Sequence, residues 1–351
     1  MRPKVFGSGY RYQNPAMIEN ELYPIAGGEW HVRFFVTSFC NFRCTYCNPS
    51  AVRENAPEMT FAECEAVLEA TASAGIRRIH WTGGEPTVID IARHMQTARR
   101  RGFIEQVLTT NGWALHRMLP QLIESGLTAV NISLDSIDRE RNAALTGRRA
   151  HDDVLRSIQA ASDLMPGVTK INIVTMRDTL AEIPAFVAFA ESINSQSRRG
   201  RIALKFLELL PNNPVFATSP GMQFLSREHA GREEIIEALC RVGTLTPQSI
   251  RGDNPNCDYY SVRGVTVGVI TLPEGADDSP STDSKKLRVS PYGVLGTCLM
   301  DRRIPILGKS DIEIRAAVRR LIEERNSLSP SDVTLNDHHE GNGFWRWGTI
   351  G

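Results

Sequence analysis

The chain has 351 residues, 41% apolar and 23% charged, an ordinary balance for a globular protein with one large α/β domain and an appendage, or with two domains. Lys plus Arg and Asp plus Glu number 40 each, so net charge gives no footing for a nucleic-acid or membrane-surface partner, and no apolar run reaches the roughly 20 residues of a membrane span. The N-terminus, MRPKVFGSGYRYQNP, carries no apolar signal region; the expected compartment is the cytoplasm, where seven cysteines serve better as metal ligands, reactive thiols or core fillers than as disulfides.

In chain order, HVRFFVT (31–37) predicts a strand running straight into a cysteine-rich loop. TFAECEAVLEATASAG (60–75) predicts a helix with a Thr cap and a terminal Gly, and RRIHWTG (77–83) the next strand. Helical and extended patterns then alternate: IARHMQTARRRG, strand IEQVLTTNG, HRMLPQLIESG, strand AVNISLDS (129–136), DVLRSIQAASDLM, strand KINIVTM (170–176), IPAFVAFAESIN, strand RIALKFLELLP (201–211). Six strands alternating with helices predict parallel βαβ units, an α/β fold of the partial (β/α)6 TIM-type barrel kind with its chemistry in the loops after the strands. Past this the pattern weakens. PNNPVFATSPGMQ predicts a loop, SREHAGREEIIEALCRVG one helix capped by its Ser, and 265–300 two short strands and a hairpin around a polar loop. The expected division is an N-terminal segment 1–29, a barrel core 30–215, and a smaller C-terminal extension 216–351 covering the barrel mouth.

The loop FCNFRCTYCNPS brings Cys40, Cys44 and Cys47 together with the spacing C-x3-C-x2-C. Thiolates ligate zinc or iron–sulfur clusters, and a closed zinc site takes four protein ligands, commonly as two distant pairs. Three thiolates on one tight loop suit a [4Fe–4S] cubane held at three corners with one iron open; the alternative is a zinc knuckle borrowing a distant fourth ligand. One βα unit later comes WTGGEP (81–86). Gly83 and Gly84 let backbone approach a ligand closely, and Glu85 can accept from an ammonium.

This combination resembles the radical S-adenosylmethionine (radical SAM) superfamily. The resemblance implies that SAM chelates the open iron and is cleaved by one electron to a 5′-deoxyadenosyl radical that abstracts a substrate hydrogen. It also implies that Tyr46 packs near the adenine, that Gly83, Gly84 and Glu85 meet the methionine amino end, and that Thr110, Asn111 and Ser133 line the SAM ribose and carboxylate. For Thr110 and Asn111 the other reading is a capped turn.

Between residues 30 and 300 the run VTSFCNFRCTYCNPS, TGGEP, LTTNG, VNISLDSID, LTGR, KINIVTM, FLELLP and RGDNPNCDYY is similar to the GTP 3′,8-cyclases of molybdenum-cofactor biosynthesis, the MoaA-like family. In that family a ring of basic side chains and a second [4Fe–4S] cluster hold GTP. The ring implied here is Arg33, Arg78, His80, Lys170, Lys205, Lys286 and Arg288; the other reading of these cations is ion pairing with carboxylates such as Glu208. Two departures stand out. The family's second cysteine pair falls on Ser281 and Ser284, leaving Cys298 alone, and the chain ends WGTIG where the family ends in two glycines. The expectation is one [4Fe–4S] cluster, SAM, a phosphorylated and nucleotide-like small molecule, and a reducing partner such as flavodoxin or ferredoxin, with no nucleic acid and no membrane. The alternatives are a GTP 3′,8-cyclase working without a second cluster, a peptide-modifying radical SAM enzyme, and a non-catalytic nucleotide-binding relative.

Overall fold

In the central strands apolar and polar residues alternate: Val32 and Phe34 against His31 and Arg33, Ile79 and Trp81 against Arg78 and His80, Ile171 and Ile173 against Lys170 and Asn172. A period of two puts one set on each face of a sheet. The structure, a computed structural model, describes residues 30–47, 57–197, 199–209, 216, 218–248, 257–271, 285–297 and 300–327.

Strands β1 (His31–Phe35), β2 (Arg78–Thr82), β3 (Glu105–Thr110), β4 (Ala129–Ser133), β5 (Gly167–Thr175) and β6 (Gly200–Glu208) lie side by side in chain order, all parallel. Between them run α1 (Phe61–Ser73), α2 (Ile91–Arg100), α3 (Leu115–Glu124), α4 (Arg139–Thr146), α5 (His151–Leu164) and α6 (Ile183–Gln196). The apolar strand faces and these helices form one core around Trp81, Phe34, Phe186 and Phe206. Thr60 and Glu63 close a capping box on α1, as its sequence predicts, and Asp90 and Asp138 cap α2 and α4. This is the α/β partial-barrel expectation, met strand for strand.

The C-terminal half follows the pattern less closely. The single helix expected over 226–243 is two, α7 (Ser219–Glu228) and α8 (Arg232–Val242), because His229 leaves helical geometry to reach Glu208, with Nε2 2.9 Å from Oε1. Strands β7 (Thr246–Gln248), β8 (Cys257–Val262) and β9 (Val265–Ile270) extend the sheet beyond β6, β9 being parallel to it. Strands β10 (Lys286–Val289), β11 (Val294–Thr297) and β12 (Met300–Pro305) extend it at the opposite edge, β10 parallel to β1. Thus one twelve-stranded sheet carries the barrel and the strands that follow it. Helix α9 (Asp311–Ser327), which the sequence reading did not foresee, packs on α1. No helix among the described residues is long and apolar enough to cross a membrane. Ser281, Ser284, Cys298 and the C-terminal tail lie outside the described residues.

Candidate active site

The cysteine loop leaves the C-terminal end of β1 and is stitched to the loop after β2. Gly84 N–H donates to Thr37 O at 2.7 Å and Glu85 N–H to Phe39 O at 2.8 Å. This contact explains the two glycines. A Cβ on Gly84 would stand 2.2 Å from Phe39 O, and one on Gly83, whose φ is +150°, 2.5 Å from Thr37 O. Gly84→Ala is therefore expected to push the loops apart. Its melting temperature and its iron content after anaerobic reconstitution should both fall; wild-type values for both would show that the loops tolerate separation. On its far side the loop is held by α4, with Arg43 N–H donating to Thr146 O at 2.9 Å and Thr45 N–H to Leu145 O at 2.8 Å.

Glu85 is the junction of three loops. Its buried carboxylate accepts from Thr87 N–H at 2.9 Å, Thr87 Oγ1 at 2.6 Å, Thr110 Oγ1 at 2.7 Å and Asn111 N–H at 2.6 Å. Burial raises its pKa and these donors pull it back. Asn111 carries the link onward, donating Nδ2 to Asn41 Oδ1 at 2.7 Å and approaching Cys40 Sγ at 4.0 Å. Thr110 and Asn111 also cap their own turn, since Gly112 N–H donates to Thr110 Oγ1 and Trp113 N–H to Asn111 Oδ1. Ser133 ends β4 opposite Asn172 of β5.

Under the loop, Tyr46 donates its hydroxyl to Asp135 Oδ2, and Asp135 Oδ1 accepts from Val174 N–H at 2.9 Å. Asp135 is a residue the sequence reading passed over; its only signal is an acid just beyond the end of β4. Burial raises it from the ordinary carboxylate range to about 6. The thiols are pushed up as well. Burial acts first on all three, and Cys44 and Cys47 also feel Asp135 and the neighbouring thiols, Cys47 reaching about 12. Three half-buried sulfurs close enough to repel one another as thiolates fit a polycationic centre placed among them. Among the described residues no His, Cys, Asp or Glu group of three or more is set to grip one metal ion. A cubane needs no such grip, because each thiolate takes its own iron.

The polar strand face lines the barrel interior. Arg33 lies between Arg288 of β10 and His80 of β2, and His31 between Lys286 and Arg78. Arg33, Lys170 and Lys205 are buried. Arg78 pairs with Glu105 at 3.1 Å, and the Lys205 ammonium lies 5.4 Å from the Tyr259 ring centroid. Burial first, then Arg33, His31, Lys286 and Lys170, drive the His80 pKa well down; His31 is likewise lowered by burial and then by Lys286, Arg33, Arg288 and Arg78. All seven ring positions named from sequence are thus on or beside one inner surface, with His80 a neutral imidazole bonded to Thr109 at 2.6 Å. The sequence reading missed His31, Thr109, Asn131 and Asn172, which share that face at alternate strand positions.

Residues 34–190 match the radical SAM superfamily. The GTP 3′,8-cyclase of Pectobacterium atrosepticum is 32% identical over 289 residues, spanning 79% of this chain and 82% of that protein. That of Cronobacter sakazakii is 32% identical over 282 residues, spanning 77% and 80%. Among solved structures, Streptococcus suis SuiB bound to S-adenosylmethionine matches with a TM-score of 0.52 over 86% of this chain and 66% of that one, at 14% identity. The structure of anSMEcpe with bound AdoMet gives 0.51 over 86% and 84%, also at 14%. At such identity the likeness speaks for the partial barrel alone. Identity sustained along most of both chains, over a fold that holds three thiols beside a GGEP junction, means that this chain belongs to the radical SAM superfamily of enzymes, which pair an iron–sulfur cluster with S-adenosylmethionine, and within it to the family of the GTP 3′,8-cyclases.

Proposed function

We propose that this enzyme abstracts hydrogen from a phosphorylated, nucleotide-like substrate held inside the barrel, as a step in a biosynthetic pathway of the cytoplasm. The observation that carries the reading is the cationic inner surface. A barrel interior is normally filled by branched apolar side chains. Here Arg33, Arg78, Lys170, Lys205, Lys286 and Arg288 face one space, and all of these but Lys205 add to burial in lowering the histidines among them. Cations that repel one another in a low dielectric are stabilised by a shared polyanion.

In this reading Cys40, Cys44 and Cys47 hold a single [4Fe–4S] cluster. Ser281 and Ser284 stand where the family's second pair would be, and supply no thiolate. When bound, the cluster and SAM supply a hydrogen-abstracting radical. The chain's own residues do the rest. Tyr46, Gly83, Gly84, Glu85, Thr110, Asn111 and Ser133 seat SAM at the strand ends, and the Glu85 junction keeps the three loops in register. The basic residues hold the phosphates below, and the buried surroundings keep water from the reacting carbon. A flavodoxin- or ferredoxin-like reductant supplies the electron. A second reading, a GTP 3′,8-cyclase working without a second cluster, draws support from the 32% identity to enzymes of that name.

The test is calorimetry on the reconstituted enzyme with SAM present. GTP is expected to bind far better than guanosine. Lys170→Ala and Arg288→Ala should each cost about 1.5–3 kcal/mol, roughly ten- to a hundredfold in affinity. Equal affinity for the nucleoside and its triphosphate, with no effect of either substitution, would mean that the cations are structural.

A further inference from the structure

Two carboxamides on the inner face take no part in the cysteine loop or the ion pairs. Asn131 is 8% exposed; its Nδ2 donates to Thr109 Oγ1 at 3.3 Å and lies 3.5 Å from His80 Nε2, while its Oδ1 has no hydrogen-bond partner among the described residues. Asn172, 6% exposed, sits on the same face of the adjacent strand β5. Buried polar groups are nearly always paired, because an unmade bond forfeits the water the group gave up. The orphan oxygen of Asn131, with a second carboxamide on the neighbouring strand facing the same space, marks a place that a ligand completes.

Their neighbours say which part of the ligand. Asn131 pairs in register with Lys170, and Asn172 with Lys205 on one side and Ser133 on the other. Adjacent strands are about 4.8 Å apart, so each amide sits one strand from an ammonium. The group bonded directly to the phosphates of a nucleotide is the pentose, and the base lies further away. A vicinal diol both donates and accepts, as a carboxamide does. His80, held neutral, adds no charge to the patch.

We propose that Asn131 and Asn172 are specificity-determining residues that hold the hydroxyls of a phosphorylated pentose, beside Lys170 and Lys205. The inference rests on the phosphate reading above. It goes further by making the sugar hydroxyls, and not the anion alone, the feature selected.

Calorimetry with GTP, 2′,3′-dideoxy-GTP and inorganic tripolyphosphate on the SAM-loaded, reconstituted enzyme separates the two claims. Wild type is expected to prefer GTP over the dideoxy compound by about tenfold or more. In Asn131→Leu and Asn172→Leu, which keep the branched outline and remove the amide, that preference should shrink towards unity while tripolyphosphate affinity stays within about twofold. Retained tripolyphosphate binding also reports an intact barrel; should a leucine variant lose it, the smaller Asn172→Ser, expected to keep part of the preference, decides. A wild type indifferent to the hydroxyls, or variants that keep the full preference, overturns the proposal with the anion site still standing. A wild type that binds neither GTP nor tripolyphosphate overturns the anion reading, and this inference with it.

Discussion

Replacing any one of Cys40, Cys44 or Cys47 with alanine is expected to abolish stable cluster uptake and all formation of 5′-deoxyadenosine from SAM. The three sulfurs are held by a loop tied on one side to the β2 loop and on the other to α4, which fixes each at its own corner. Cys64 is in the helix core and Cys240 is exposed on α8. Each remaining thiolate would still carry its burial cost, and Cys44 and Cys47 their repulsion from Asp135, with one fewer bond to offset them. Iron and sulfide assays on the wild type should give about four of each per chain, as one cubane requires. About eight would restore a second cluster and overturn the reading of Ser281 and Ser284. Cys298→Ala is expected to leave the assay unchanged.

The second large effect is expected at Glu85. Alanine there strands the Thr110 hydroxyl and the amides of Thr87 and Asn111, all donors that the carboxylate now satisfies. An unsatisfied buried donor costs about 1–3 kcal/mol, so a total of about 3 kcal/mol or more is expected. For a chain of this size that lowers the melting temperature by roughly 4 °C. Glu85→Gln should be nearly as harmful, because an amide nitrogen would face a backbone N–H or a hydroxyl hydrogen. SAM affinity should fall with stability, since the GGEP and TTNG loops lose their common anchor. A Glu85→Ala protein that melts with the wild type, while losing SAM, would show that the carboxylate acts on the ligand alone.

The barrel was legible because its signals are local. Each strand carries its own alternation and each helix its own cap, so HVRFF, RIHWT and the Thr60–Glu63 box can be read one at a time. The same alternation told of the cations: Arg33 and Lys205 are charges set between apolar residues. What was illegible depends on distant partners. Nothing near His229 announces that Glu208 will pull it out of a helix. Asp135 gains its importance from Tyr46 of another loop, and Asn131 and Asn172 from which strands lie next to them. Helix α4 was seen only as the motif LTGR, although Asp138 before it and Gly147, at φ +66°, after it are ordinary start and stop signals.

The placement of β10 has a consequence for how the chain is made. β1 is synthesised long before β10, and one of its two edges is paired by that later strand. Until β10 emerges, the first strand of the nascent barrel keeps an open row of N–H and C=O groups, next to a loop of three unligated thiols. Pairing so distant in sequence is slow, and exposed edges invite association with other chains. A strand made late therefore acts as a lock on one made early, and the barrel edge at β1 closes only once β10 has been synthesised.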